Sequence, residues 1–288
     1  MDLGFVILHY KTYEMTEICV ETLLSTFNNF SFQIVVVDNG SSNESGERLT
    51  NKYFYEKKVD VILNNQNVGF ANGNNIGFNF IREKYQPYYI VVMNNDVLIK
   101  DREFLGKIRK QDSIYKFAVL GPDIQNPLLK NHQNPERLVP RSTEAVKKRI
   151  KSFERKCKHP FLFYILSKIK DIIIIDKTVT KTNYNFKYEW ENVVLHGACY
   201  IFSPKFWKTR EKCFNPKTFL YHEEDILFYE CQKAHLKMIY SPEIYVEHLE
   251  DVSTNASFKS GYKKACMRNK YLKDSANILL DILENDWN

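Results

Sequence analysis

The sequence predicts an α/β protein built on a doubly wound, mostly parallel sheet. Three observations carry that prediction. In the first hundred residues short apolar runs alternate with stretches of helical spacing, a β-α-β-α-β-α-β series whose crossovers favour a parallel, right-handed arrangement. Residues 32–38 (FQIVVVD) form a nearly unbroken β-branched run, as a strand buried on both faces requires. Each of the four apolar runs ends in polar residues, and ligands of open α/β sheets bind beyond the carboxyl ends of the strands.

Taken in order, residues 3–8 read as the first strand, and 14–27 as a helix with Ile18, Leu23, Leu24 and Phe27 at helical spacing. The second strand is 32–38, followed by a helix at 44–57 and a third strand at 59–63. A helix at 72–83 leads to the fourth strand, 88–93, then a helix at 101–115 and a strand at 117–121. From about 127 to 191 the pattern loosens into prolines, a basic run and a mixed apolar stretch at 161–175, which we read as an insertion or subdomain. Regular signals resume with a strand at 193–202, a helix at 225–234 and extended segments at 237–240 and 244–248. The expected organisation is one domain over 1–255, with halves at 1–122 and 193–255 separated by the insertion at 127–190, and a helical tail at 256–288.

Composition is that of a globular protein, 44% hydrophobic and 26% charged. The six cysteines form no CxxC pair and no zinc-ligand spacing; with no leader segment ahead of the first strand they read as reduced thiols of a cytosolic protein. No apolar run reaches the roughly 18–20 residues of a membrane span. The net charge of +6 is uneven: nine Lys/Arg stand against one acid, Glu154, between 147 and 170. The bulk of the chain is therefore not a nucleic-acid binder. The same segment holds Phe161, Leu162, Phe163, Tyr164, Ile165 and Leu166, and residues 259–273 add six bases and no acid. Bases beside exposed apolar residues suit an anionic lipid surface; a solvated basic helix packed by its aromatics onto the core has the same composition.

The strand ends carry the candidate chemistry. His9 and Tyr10 follow the first strand. Asp38, after the second, can accept hydrogen bonds from a base or ribose, or close the Asp-Asn-Gly-Ser turn. The run Asn67-Val68-Gly69-Phe70-Ala71-Asn72-Gly73-Asn74-Asn75 opens a helix, where glycines admit close backbone approach and the helix N-terminus favours phosphate. It is neither a Walker A loop nor GxGxxG. Asn94-Asn95-Asp96 can hold a hard cation with a diphosphate completing the shell. The run His222-Glu223-Glu224-Asp225 places three acids together, a pattern that persists when solvated, metal-bound, stabilised at a helix N-terminus, or used as a base.

Together these segments resemble the family 2 glycosyltransferases of the GT-A fold, in particular bacterial rhamnosyltransferase-like members that build cell-surface polysaccharide. The matching stretches are Ile7-Leu8-His9-Tyr10, Val35-Val36-Val37-Asp38-Asn39-Gly40-Ser41-Ser42, Asn67 through Gly77, Val91-Val92-Met93-Asn94-Asn95-Asp96, His196-Gly197-Ala198, Phe219 through Asp225, and Tyr240-Ser241-Pro242 leading to His248. The likeness covers roughly 3–122 and 193–250 and says little of 127–190 or the tail.

The resemblance implies a Rossmann-like half that binds a UDP- or dTDP-linked sugar and a second half that binds the acceptor. It places His9, Tyr10, Asp38, Asn67, Gly69, Asn72, Asn74, Asn75, Asn94, Asn95 and Gly197 on the nucleotide sugar, with Asp38 on the nucleobase and the backbone around His9–Tyr10 flanking it. It assigns Mn2+ or Mg2+ to Asp96 and His248; the family's DxD-type motif reads Asn-Asn-Asp here, so its first acid is missing. It makes Glu224 the catalytic base, aligned through Leu227, with Glu223 and Asp225 as alternatives. The implied reaction inverts the anomeric carbon as the base deprotonates an acceptor hydroxyl. The implied acceptor is a glycan or polyprenyl-linked glycan of a capsule or O-antigen pathway, which suits a cytoplasmic enzyme peripheral to the inner membrane face. Two other readings are a sugar-phosphate nucleotidyltransferase, which would normally carry a Gly-rich basic loop where His9-Tyr10-Lys11 stands, and a non-catalytic carbohydrate- or membrane-surface-binding relative.

Overall fold

The computed structural model describes residues 1–173, 186–249 and 261–285. Its elements run β1 (Leu3–His9), α1 (Tyr13–Thr26), β2 (Phe32–Asp38), α2 (Ser45–Tyr53), β3 (Val59–Leu63), α3 (Gly69–Tyr85), β4 (Tyr89–Asn94), β5 (Val97–Leu98), α4 (Phe104–Tyr115), β6 (Val119–Asn126) and β7 (Asn131–His132). They continue α5 (Thr143–Lys158), α6 (Pro160–Ile173), β8 (Trp190–Glu191), β9 (Cys199–Phe202), α7 (Pro204–Trp207), α8 (Glu223–Lys233), β10 (Met238–His248) and α9 (Gly261–Asn285).

The strands form one sheet in the order β3-β2-β1-β4-β9-β6-β10-β5, with β7 beside β6 and β8 beside β10. β1, β2, β3 and β4 run parallel, as do β6 and β10, and most paired positions lie in these parallel ladders. β9 lies antiparallel between β4 and β6 and joins the two parallel blocks.

Every residue of β2 is buried, as its unbroken apolar run requires. The period of two sorts its side chains to opposite faces: Ile34 and Val36 join Phe5, Phe27 and Val91 in one core, while Val35 and Val37 join Val6, Phe78 and Tyr200 in the other. Helices therefore cover both faces of the sheet, and its carboxyl edge is left for the polar turns.

Several sequence boundaries move. The helix expected at 44–57 ends at Tyr53, and the helix expected from 72 begins three residues earlier, at Gly69. The two extended segments at 237–240 and 244–248 are one strand, β10, whose pairing with β6 shifts register between Ser241 and Tyr245. The strand expected at 193–202 is confined to Cys199–Phe202, because His196-Gly197-Ala198 turns toward α8. The loosely patterned insertion contains two helices, α5 and α6; α5 has an amphipathic spacing hidden by its many bases and is capped by Ser142. α9 packs along α5 and also touches α6 and α8. Residues 174–175 of the apolar stretch, the predicted boundary at 255/256 and Lys259 lie outside the described residues.

Candidate active site

β5 and β10 bring the first pair of candidate residues together. Antiparallel pairing sets His248 opposite Val97, next to Asp96. The His248 Nε2 atom lies 3.3 Å from Asp96 Oδ1, both residues being buried. On its other side His248 Nδ1 meets Gln133 Oε1 at 2.7 Å. Because an amide oxygen only accepts, Nδ1–H donates to it, and Nε2 is left on the Asp96 side of the ring without a hydrogen bond to Oδ1. Asp96 Oδ1 accordingly has no hydrogen-bond partner. A buried imidazole nitrogen and a carboxylate oxygen this close together form a ready pair of ligands for a cation. Two cis ligands of one octahedral Mg2+ ion stand about 3 Å apart, so the pair fits a divalent cation. Among the described residues no three His, Cys, Asp or Glu side chains gather at one point, so further ligands would be supplied by a diphosphate or water.

A short chain of contacts links this pair to the acids of α8. The Asn94 amide donates to Ala198 O at 2.9 Å, which fastens the Asn-Asn-Asp turn to the His196–Ala198 turn. The His196 and His248 rings lie 5.8 Å apart. Burial, reinforced by His248, pushes the His196 pKa down to about 3, so its ring is neutral at physiological pH. Gly197 then passes directly under Glu224: a Cβ there would lie 2.5 Å from Glu224 Oε1, so a side chain at 197 and the carboxylate of Glu224 exclude each other.

The three acids differ sharply. Asp225 is buried in an ion cluster, with Arg137 Nη2 at 2.5 Å, Arg141 Nη1 and His222 Nδ1 at 3.0 Å. Burial alone would raise its pKa; the His222 hydrogen bond and the two guanidinium charges outweigh that and hold it below the usual range. Glu223 is buried with Oε1 unpartnered, and desolvation followed by the charge of Glu224 pushes its pKa up. Glu224 is raised too, chiefly by desolvation, yet it keeps partial solvent access, unlike its two neighbours. A carboxylate that is elevated, partly open and not held by an arginine is the one suited to take a proton. Tyr221 and His222, both at positive φ (76° and 65°), lead into this turn, a strained backbone that positions the acids.

The amide-rich edge is largely engaged with the protein itself. Asn39 donates to Asn67 Oδ1 and Gly69 O and accepts from the Val68 amide. Gly69 has φ +85°, and a Cβ there would meet Phe219 O at 2.5 Å. Asn72 donates to Pro216 O, Asn74 to Phe70 O, and Asn75 both donates to and accepts from the backbone of Phe214. These bonds clamp the start of α3 to the segment that leads into the acids. His9 and Asn95 are likewise committed: His9 bridges Thr16 and Ser45, and Asn95 donates to Thr12 and Thr16. Burial lowers the His9 pKa to about 4, which makes it a neutral brace. Both ring nitrogens of His9 and the Asn95 Nδ2 group are thus paired within the protein beneath the strand ends, which leaves the backbone around His9–Tyr10 as the part expected to flank a nucleotide. Asp38 accepts from the Ser41 amide and lies against Gly46 at the start of α2, with its pKa raised by burial. Tyr10 and Asn94 remain half-buried at their strand ends.

Sequence reading missed Gln133, Arg137, Arg141 and Asn39. The first three lie in the loosely patterned segment, where no periodicity singles them out. Asn39 reads as an ordinary turn residue beside Asp38.

The comparisons agree with this architecture. Residues 1–349 of S. aureus TarS superpose with a TM-score of 0.53 at 12% identity, over 99% of this chain and 71% of that one. The mannosyltransferase PcManGT from Pyrobaculum calidifontis, in complex with GDP-Man and Mn2+, gives 0.54 at 10% identity over 98% and 73%. GalNAc-T7 with UDP, GalNAc and Mn2+ gives 0.57 at 12% identity, over 87% of this chain and 43% of that one. At such identities these likenesses speak for a shared fold. No curated protein matches by sequence. Residues 5–173, more than half of the chain and including every strand end from His9 to Asp96, match the profile of glycosyl transferase family 2; with the GT-A architecture described above, the chain belongs to that family.

Proposed function

We propose that this family 2 glycosyltransferase moves a sugar, with inversion, from a UDP- or dTDP-linked donor to a hydroxyl of a glycan or lipid-linked glycan, in a pathway such as capsule or O-antigen synthesis. The observation that carries the reading is the position of Glu224, partly open above Gly197 and joined through His196 to the Asp96–His248 pair. A proton acceptor and a cation-binding pair at one edge of the sheet are the two devices that glycosyl transfer from a diphosphate requires.

In this reading Asp96 and His248 hold Mn2+ or Mg2+, and the metal, when bound, offsets negative charge on the leaving diphosphate. Gln133 fixes the His248 ring so that Nε2 presents its lone pair. Asp38, Tyr10 and Asn94 line the donor side, with Asp38 on the nucleobase. Glu224 accepts the acceptor hydroxyl proton at its partly open carboxylate while the hydroxyl oxygen attacks the anomeric carbon from the face opposite the leaving group. Asp225, tied to Arg137 and Arg141, holds the turn in place and takes no proton.

Release of nucleoside diphosphate from a panel of UDP-, dTDP- and GDP-sugars, with Mn2+ or Mg2+, tests the proposal. One donor class is expected to be hydrolysed slowly without acceptor and to raise the unfolding temperature only with metal. Asp96→Ala is expected to abolish both signals. Undiminished turnover in excess EDTA would sink the metal assignment, and silence with every donor would sink the activity.

A further inference from the structure

α6 turns its apolar side to solvent. Phe161 and Leu162 are 65% and 54% exposed, and Ile165, Leu166 and Ile169 are exposed as well. At about 100° per residue these five fall on one arc roughly 140° wide. On the inner side of the helix Tyr164 packs on Tyr262 of α9, with ring centroids 5.4 Å apart. A surface helix ordinarily buries its apolar stripe; α6 leaves this one in solvent, with Ser167 and Lys168 exposed beside it and the aromatic Phe163 and Tyr164 turned inward. Scattered exposed hydrophobics need no explanation, but five bulky ones in a single stripe mark a surface with a partner.

The charge on the two helices that α6 touches identifies that partner. Lys151, Arg155 and Lys158 on α5, and Arg268 and Lys270 on α9, are exposed and carry one sign of charge, with Glu154 as the acid among them. Met267 on α9 is exposed as well. A second copy of the chain meeting this one through α6 would set two groups of bases against each other, whereas an anionic bilayer offers both an apolar interior and the complementary charge. We propose that α6 is an interfacial anchor, lying in the headgroup boundary of an anionic membrane with its five apolar side chains inserted and the bases of α5 and α9 on the surrounding headgroups. α9 relates this surface to the cleft. Tyr262 touches α6, and Tyr271, nine residues on, stacks on Phe219 at 4.6 Å just before the acidic turn. Nine helical residues span about 13 Å, so α9 carries one short connection between the anchor and the turn. The inference stands apart from the proposed chemistry.

Co-sedimentation of the full chain with phosphatidylglycerol-containing and pure phosphatidylcholine vesicles, at low and high salt, tests it. Partition into the anionic vesicles is expected to be at least tenfold stronger and to weaken with salt. The combined variant Leu162→Ser, Ile165→Ser, Leu166→Ser is expected to lose that partition about tenfold while keeping its unfolding temperature, since the side chains are exposed. A separate Leu166→Trp variant is expected to shift its emission to the blue on anionic vesicles, which keeps the test decisive if the triple variant folds poorly. Absent or equal binding to both vesicles, no emission shift, or a dimer in light scattering that the serine variant dissociates would overturn the anchor. Donor hydrolysis, measured without vesicles, reports on the transferase reading independently.

Discussion

Two helices begin at the carboxyl edge of the sheet, α3 behind amides and α8 behind acids, and they treat their polar groups in opposite ways. At α3 the side chains of Asn39, Asn67, Asn72 and Asn75 are bonded to the protein backbone or to one another. At α8 one acid is fully engaged and two are left wanting: Asp225 sits among arginines, while Glu223 and Glu224 have pKa values raised by desolvation. Satisfied polar groups fix a shape, and unsatisfied ones are available for chemistry. A dense polar motif at a strand end is therefore not equivalent to a binding motif, since the amides hold the scaffold on which the acids work.

Substitutions at the two mouths can break that distinction. Asp225→Asn should have the largest effect on the fold, a loss of about 3–5 kcal/mol, because it leaves Arg137 and Arg141 half-buried without their carboxylate. Thermal or urea unfolding measures this. Asp225 has a depressed pKa when folded, so its contribution is present above the unfolded value of about 3.9 and disappears as pH falls through the folded value. If Asp225→Asn is as stable as the parent, the division between engaged and free acids is wrong.

Glu224→Gln should leave stability and donor binding nearly unchanged and lower turnover about 100-fold or more. A base acts only when ionised, so kcat/KM of the parent should rise with pH through the elevated Glu224 pKa, and the glutamine variant should lose that acidic limb. An active glutamine variant would move the base elsewhere. At the other mouth Asn75→Ala should cost about 1–3 kcal/mol by orphaning the Phe214 backbone, with turnover per folded molecule retained. A normal unfolding temperature with lost donor binding would make Asn75 a ligand contact. The smallest change is expected for Glu223→Gln. The folded pKa of Glu223 is raised, so burial of its charge destabilises the fold increasingly as pH climbs above the unfolded value of about 4.3. The amide should raise the unfolding temperature by a few degrees at pH 8 and by less at pH 5.

Much of this was legible in the sequence where periodicity and composition act locally. The β-branched run of β2 announced a strand covered on both faces, and the polar strand ends announced the working edge. The Asn94-Asn95-Asp96 turn and His248, 152 positions on in sequence, were singled out one by one, but nothing local says that β5 and β10 pair and set them 3.3 Å apart. The arginines that engage Asp225 were equally hidden. Arg137 and Arg141 lie in a stretch without helix or strand spacing, and their role comes from a contact across more than 80 residues. The choice between Glu224 and Asp225, left open by a run of three acids, turns on those partners. The amide cluster is ambiguous for the converse reason: Asn is as good at bracing a turn as at holding a ligand, and composition does not tell the two apart.

α9 adds a matter of timing. Tyr271 stacks on Phe219, and the Ser275 hydroxyl donates to Leu220 O, so the strained turn that presents Glu224 rests on a helix some fifty residues further along. Synthesis proceeds from the N-terminus, and the strands, the amide clamp and the acids themselves all emerge before that support exists. A nascent chain that stops short of residue 261 should hold the whole sheet and still lack a settled base. Catalytic competence is thus expected to arrive late and abruptly, with the last helix to dock rather than with the last residue that touches substrate.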